Sequence, residues 1–148
     1  MRIYIAARYS RLNEVQALAQ KLRDYGYTVD ANWIKGAHEW DSEAMAVENA
    51  SKDVPVIGQR FAEDDIADIE RSDVMICLTE EPRSTNGRGG RHVEYGYALA
   101  KGIPILILGP RENVFYCLQN RGVMKAPGII PELIDMLDYI RSRIEVAS

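Results

Sequence analysis

The sequence predicts an α/β protein: a doubly wound parallel sheet of four or five strands in a three-layer sandwich, formed as one domain over residues 1–148. Three observations predict it. "DVMICLT" (73–79) and "IPILILG" (103–109) are continuous apolar runs rather than alternating ones, the pattern of strands covered on both faces. Stretches of helical periodicity stand between the strand-like runs, the order expected of parallel βαβ units. A length of 148 residues supports one full core and not two.

The elements follow in order. "RIYIAA" (2–7) reads as the first strand. Leu12, Val15, Leu18, Ala19, Leu22 and Tyr25 then form one helical stripe, closed by Gly26. "TVDANW" (28–33) reads as a second strand, and 41–73 as two helical pieces interrupted before Pro55. After the 73–79 strand, a helix from about His92 to Lys101 leads into the 103–109 strand. "PELIDMLDYIRSRI" closes the chain as a helix, with Pro131 suited to its first turn and Leu133, Ile134, Leu137, Ile140 and Ile144 at core spacing.

Composition narrows the function classes. Hydrophobic residues are 47%, charged residues 27% and the net charge is -4, which gives no electrostatic reason to bind a nucleic acid polymer or a membrane. A small-molecule substrate is the expectation. Cys77 and Cys117 lie singly in apolar stretches and read as core thiols of a reducing compartment. His38 and His92 have no partners at metal-ligand spacing. "MRIYIAARYS" is too short and too charged for a signal sequence, so a cytoplasmic location is expected.

In open parallel sheets, ligands sit beyond the carboxyl ends of the strands. That rule selects "AARYSR", which brings Arg8, Tyr9 and Ser10 to the crevice, "WIKGAHEW", which brings Trp33 and Trp40, and "EEPRSTNGRGGRH", which brings Arg88, Gly89 and Gly90. The last loop is no dinucleotide fingerprint, because His92 stands where the third glycine of G-x-G-x-x-G should fall. Its glycines still allow a close backbone approach to a ligand, and Arg88 and Arg91 could meet a phosphate or carboxylate. A solvated surface loop is the plain alternative.

Glu94 follows that loop in a first helical turn, where an acid is favoured by the helix dipole alone by ~0.3–1 kcal/mol. Its neighbours Val93, Ala98 and Leu99 suggest an inward face, on which a carboxylate needs partners or a task. In "FAEDDIADIERSD" most acids suit a solvated face, but Asp65 lies near the start of the stretch running to the next strand, with Ile66 and Ile69 marking its buried side. Asp65 could therefore border the same crevice.

Together, "IYIAA", "DIADIERSDVMICL" with Asp65 eight positions before Asp73, and "GRGGRHVEYGYALAKGIPILIL" resemble the nucleoside 2-deoxyribosyltransferase family and its relatives, the deoxynucleoside 5'-monophosphate N-glycosidases, over residues 2–118. The resemblance implies a flavodoxin-like fold, Glu94 as nucleophile, Asp65 as the acid at the base, and Tyr4 as a phenol hydrogen-bonded to the nucleophile. It also implies that Asn113, in "ENVFY", reaches the sugar in a neighbouring subunit's site, hence a homo-oligomer with shared active sites. One position departs from the pattern: the transferases carry a sugar-binding aspartate six residues before the nucleophile, where this chain has Arg88.

The chemistry fits those residue types. Cleaving an N-glycosidic bond builds positive charge on the sugar, which a carboxylate below C1' can stabilise and trap as a glycosyl ester. The base leaves only if a ring nitrogen is protonated, a task for a second carboxyl group. Tyr9, Trp33 or Trp40 could stack on the base, although core packing is the ordinary role of each. The expected activity is transfer of a 2-deoxyribosyl group between nucleobases, with deoxynucleosides and free bases as partners and no metal or organic cofactor. The rivals are hydrolysis of 2'-deoxynucleoside 5'-monophosphates, favoured by Arg88 and Arg91, a nucleotide-binding sensor without turnover, and more distantly a glycosidase of NAD.

Overall fold

The computed structural model describes residues 1–36, 53, 56–82 and 89–148. The strands are β1 (Ile3–Ala6), β2 (Val74–Leu78), β3 (Ile105–Leu108) and β4 (Val123–Lys125), and the helices are α1 (Leu12–Asp24), α2 (Val56–Glu70), α3 (Gly90–Ala100) and α4 (Ile130–Ala147). The sheet is parallel, in the order β1-β2-β3-β4. Every residue of β1 and β2 is buried. Successive strand side chains point to opposite faces, so both faces are covered, as their unbroken apolar runs predict.

Local chemistry sets the helix ends. α1 buries Val15, Ala19 and Leu22 and stops in a Schellman turn, where Tyr27 N–H donates to Leu22 O and Gly26 N–H to Arg23 O. Gly26 has φ 89°, a conformation open to glycine. Gly102 ends α3 the same way, with Ile103 N–H donating to Ala98 O. α3 starts at Gly90 rather than His92, because left-handed Gly89 (φ 81°) turns the chain into it. Tyr25, expected on the α1 stripe, is 54% exposed at the fraying end of the helix.

The expected strand 28–33 is reduced to a single parallel bridge between Thr28 and Arg2, and Asn32–Lys35 is a 3-10 turn. Side chains explain why pairing stops. The Arg23 guanidinium takes Val29 O, and the buried Asp68 carboxylate accepts Asn32 N–H at 2.5 Å, so backbone groups that a ladder would use are satisfied otherwise. β4 takes the opposite edge of the sheet, a short strand that the sequence pattern does not announce. Of the two helical pieces expected between 41 and 73, α2 is observed and the first lies outside the described residues.

Packing places the helices. α3 lies across β1, β2 and β3 and against α2. α4 comes to the end of α1 through Tyr27, whose hydroxyl donates to Asp138 and whose ring lies 5.2 Å from the Arg141 guanidinium. No helix among the described residues is long and apolar enough to cross a membrane.

Candidate active site

Counting the Thr28 bridge, the chain first crosses to one side of β1 and then returns to build β2, β3 and β4 on the other. That reversal opens a crevice beyond the carboxyl ends of β1 and β2. Arg8 and Tyr9 follow β1, Thr79 and Glu80 follow β2, and Gly89 precedes α3. At this end Gly109 (φ 122°) passes so near Thr79 that an added Cβ would lie 2.5 Å from its Oγ1.

Tyr4, Asp65 and Glu94 come together on one face of the sheet, from β1, α2 and α3. Tyr4 is fully buried, and its pKa is raised by burial first and then by the Glu94, Asp65 and Asp68 carboxylates, so the phenol keeps its proton. Glu94 is half-buried as a residue, but its Oε2 is sealed from solvent. Neither Oε2 nor the Tyr4 hydroxyl makes a hydrogen bond of ordinary geometry, yet the phenol faces the carboxyl group closely enough to restrain its pKa. Burial, then the Asp65 charge, raises the Glu94 pKa to about 8, with Tyr4 and Arg91 opposing. A like charge nearby disfavours the ionised form, which is how Asp65 acts on Glu94.

The supporting shell differs from the expectation in several places. Asp65 sits well inside α2 rather than at the start of a stretch, and Ile66 is 42% exposed, so Ile69 and Asp68 mark the buried side. Val93 is 73% exposed; Ala98 and Tyr95 carry the inward face of α3. Cys117 is exposed, whereas Cys77 is buried and its pKa is pushed up to about 11 by that burial. Arg91 does not face the crevice loop. It is buried, with Nη2 2.6 Å and 2.8 Å from the two Glu112 oxygens and Nη1 3.1 Å from the Tyr116 hydroxyl.

Asp68, one helical turn after Asp65, holds the crevice wall. Its carboxylate takes Asn32 N–H and the Arg71 guanidinium, which ties the 3-10 turn carrying Trp33 to α2. Trp33 is 6% exposed and donates its indole N–H to Ile5 O, so only part of its ring edge backs the crevice. Tyr9 lies 6.4 Å from it, half-buried, with its hydroxyl donating to Gly36 O. Arg8 approaches Glu80 at 3.6 Å, and Arg11 reaches Glu80 and Thr79 O at 3.1 Å each. Ser10 is exposed. Asn113 is exposed and caps its own turn, accepting Phe115 N–H at 2.9 Å, and Val114 and Phe115 beside it are 76% and 62% exposed. Gly90 opens α3, while Arg88, Trp40 and His38 lie outside the described residues.

Glu112, Glu80 and Asp68 are the residues that sequence reasoning did not single out. Asp68 had a signal, the i,i+3 spacing from Asp65 on one helix face. Glu112 had none, because its partner comes from another element. Among the described residues no three His, Cys, Asp or Glu side chains converge as a metal site requires. An apolar cavity of about 240 Å³, lined by Met124, Asp135, Met136, Tyr139 and Ile140, lies between β4 and α4, apart from the acidic cluster.

No protein-family model matches the sequence, and no curated protein is detectably similar to it in sequence. Solved structures do match. A CMP N-glycosidase of Clostridium botulinum aligns at 17% identity over 93% of this chain and 99% of its own, with a TM-score of 0.57. A 2-deoxyribosyltransferase of Bacillus psychrosaccharolyticus aligns at 20% identity over 77% and 76%, with a TM-score of 0.51. A conserved protein of Enterococcus faecalis V583 aligns at 17% identity over 97% and 98%, with a TM-score of 0.50. At these identities the likeness is one of architecture: the four-stranded parallel α/β sandwich has the nucleoside deoxyribosyltransferase-like fold.

Proposed function

We propose that the protein cleaves the N-glycosidic bond of 2'-deoxynucleosides and passes the 2-deoxyribosyl group to a second nucleobase, with hydrolysis as a side reaction. One observation carries this reading: the Glu94 carboxyl group, with Oε2 sealed from solvent, meets a second carboxyl, Asp65, and a protonated phenol, Tyr4, on one face of the sheet. A structural carboxylate would have its lone pairs satisfied; this one is burdened by burial and a like charge, as a reacting group is.

In the first half-reaction the Glu94 carboxylate attacks C1'. The O–C1' bond forms as the C1'–N bond breaks, and the leaving base keeps that electron pair and takes a proton from Asp65 at a ring nitrogen. In the second, an acceptor base or water attacks C1', returns its proton to Asp65 and releases the Glu94 carboxylate. Two inversions retain configuration. Tyr4, facing the carboxyl group, steadies the nucleophile, Tyr9 and the edge of Trp33 offer surface to the base, and Gly89 and Gly90 border the sugar side, with Arg88 as a further substrate-binding residue. Asn113 serves a neighbouring chain's site, with the exposed Val114 and Phe115 forming the contact in a homo-oligomer.

A second reading, hydrolysis of a nucleoside 5'-monophosphate, is favoured by Arg8 and Arg11, which meet at Glu80 at the mouth of the crevice, where a phosphate could replace that carboxylate. The likeness to a CMP N-glycosidase over nearly the whole chain favours it too. The test is incubation with deoxyinosine or deoxyuridine, with and without adenine, and in parallel with deoxyadenosine 5'-monophosphate and CMP, followed by chromatography. Deoxyadenosine formed from the nucleoside and adenine supports transfer. Free base from the monophosphates alone supports the hydrolase, and binding without products refutes both.

A further inference from the structure

We infer that Arg91, gripped by Glu112 and Tyr116, is the positioning residue of the nucleophile: its buried guanidinium sets a fixed positive charge beside the Glu94 carboxylate. This rests on the reading of Glu94 as nucleophile, and the geometry comes from α3 and β2. Residues three apart on a helix share a face. Arg91 and Glu94 both address Cys77 of β2, Arg91 with Nη1 3.9 Å from its Sγ and Glu94 through its charge.

The arrangement is costly for a mere strap. The Arg91 and Glu112 side chains are only 7% and 9% exposed, and a buried ion pair is often no more stabilising than apolar residues of the same volume. Arg91 Nε, moreover, is buried without a hydrogen bond, so local acceptors do not fully satisfy the guanidinium. What the pair provides that an apolar pair cannot is a field at Glu94. Burial alone would make Arg91 less basic, but Glu112, Cys77 and Tyr116 together outweigh it and the charge is permanent. Glu112 stays ionised through Arg91 and the Glu80 N–H, both of which oppose its burial. His92 leans on the same carboxylate at 3.4 Å and on Tyr116 at 3.0 Å.

The groups facing Glu94 are therefore Tyr4 from β1, Asp65 from α2, Cys77 from β2 and Arg91 from its own helix. Among the described residues Arg91 is the cation of this set, so it favours the attacking carboxylate over the neutral acid by charge.

The test reads Glu94 directly, by carboxyl-carbon NMR of the full chain labelled at glutamate, with the resonance assigned by its loss in Glu94→Gln, alongside the pH profile of kcat/KM. Arg91→Met should move the Glu94 midpoint alkaline by about one pH unit and lower kcat/KM near pH 6 by about tenfold, each pH unit being a tenfold change in ionised fraction. Glu112→Gln, which leaves the arginine less neutralised, should move it the opposite way. Should Arg91→Met not fold, Arg91→Met with Glu112→Gln leaves no buried charge unpaired and should still move the midpoint alkaline. Opposite displacements in the two single variants, or the alkaline shift in the double variant, support the inference. Shifts of the same sign, or a midpoint unchanged in Arg91→Met or in the double variant, overturn it. Because the NMR titration needs no substrate, an absence of glycosidic turnover would sink the proposed reaction while leaving this result to be judged separately.

Discussion

Replacing Glu94 by glutamine should make the protein more heat-stable, and increasingly so as pH rises. The Glu94 pKa is about 8 in the fold against an ordinary 4.5, so between those values the folded state holds a proton that the unfolded chain has lost. Stability from this group is therefore fully present below pH 4.5 and is lost as pH rises through about 8. At ~1.4 kcal/mol per unit the shift sets an upper limit on the order of 5 kcal/mol, and relaxation of the site around the charge reduces it to roughly 2–3. Glutamine keeps the shape and never ionises. For a chain of this size ~1 kcal/mol moves Tm by roughly 2–4 °C, so the gap between variant and wild type should widen by about 5–10 °C from pH 5 to pH 9. Scanning calorimetry of both proteins across that range measures it. Parallel Tm curves would show that Glu94 is not held in a charge-averse site, and the argument for its reactivity would go with them.

Glu94→Ala should abolish turnover and the glycosyl adduct trapped by a 2-fluorinated analogue; a retained rate above a few per cent would mean another nucleophile. Deoxyadenosine should exceed adenosine in kcat/KM, because a 2'-hydroxyl destabilises the cationic transition state, and equal values would remove the 2'-deoxy assignment. Asp68→Asn should lower stability by about 1.5–3 kcal/mol in urea unfolding, the scale of charge-assisted bonds such as those to Arg71 and Asn32 N–H, with no change meaning that these bonds are dispensable. Light scattering should find at least a dimer, and Phe115→Asp should dissociate it with loss of activity; a fully active monomer would rule out the shared site.

How much of this was legible in the sequence depended on whether the signal was local. β2 and β3 were plain because five and four consecutive apolar residues leave no solvent face. The end of α1 was plain because Gly26 supplies a left-handed turn that other residues adopt with strain. The 28–33 strand misled because its apolar alternation is real: Val29, Ala31 and Trp33 are all buried. What the pattern could not show is that Arg23 and Asp68 take its backbone groups, since both are tertiary partners. β4 was missed for the converse reason. With three residues, of which only Val123 is buried, it carries no period, and its existence depends on the β3 edge.

The same division runs through the site. Asp65 and Glu94 could be singled out because each stands at a fixed place on a helix, Tyr4 only through the family resemblance, and the sheet topology does the converging. Arg91 was read as a crevice arginine because a glycine-rich loop precedes it, and its true direction is decided by Glu112, which lies beyond β3 and has no sequence period in common with α3. A residue's type and local position thus pointed to which groups come together, whereas the field at them is set by contacts between elements. That difference has a chemical consequence. Burial and Asp65 hold Glu94 largely protonated at neutral pH, and a phenol on β1 and a guanidinium held from the 112–116 segment only moderate that shift. The position of Glu94 is set by its helix, and its charge state is set by the strand below and the loop beside it.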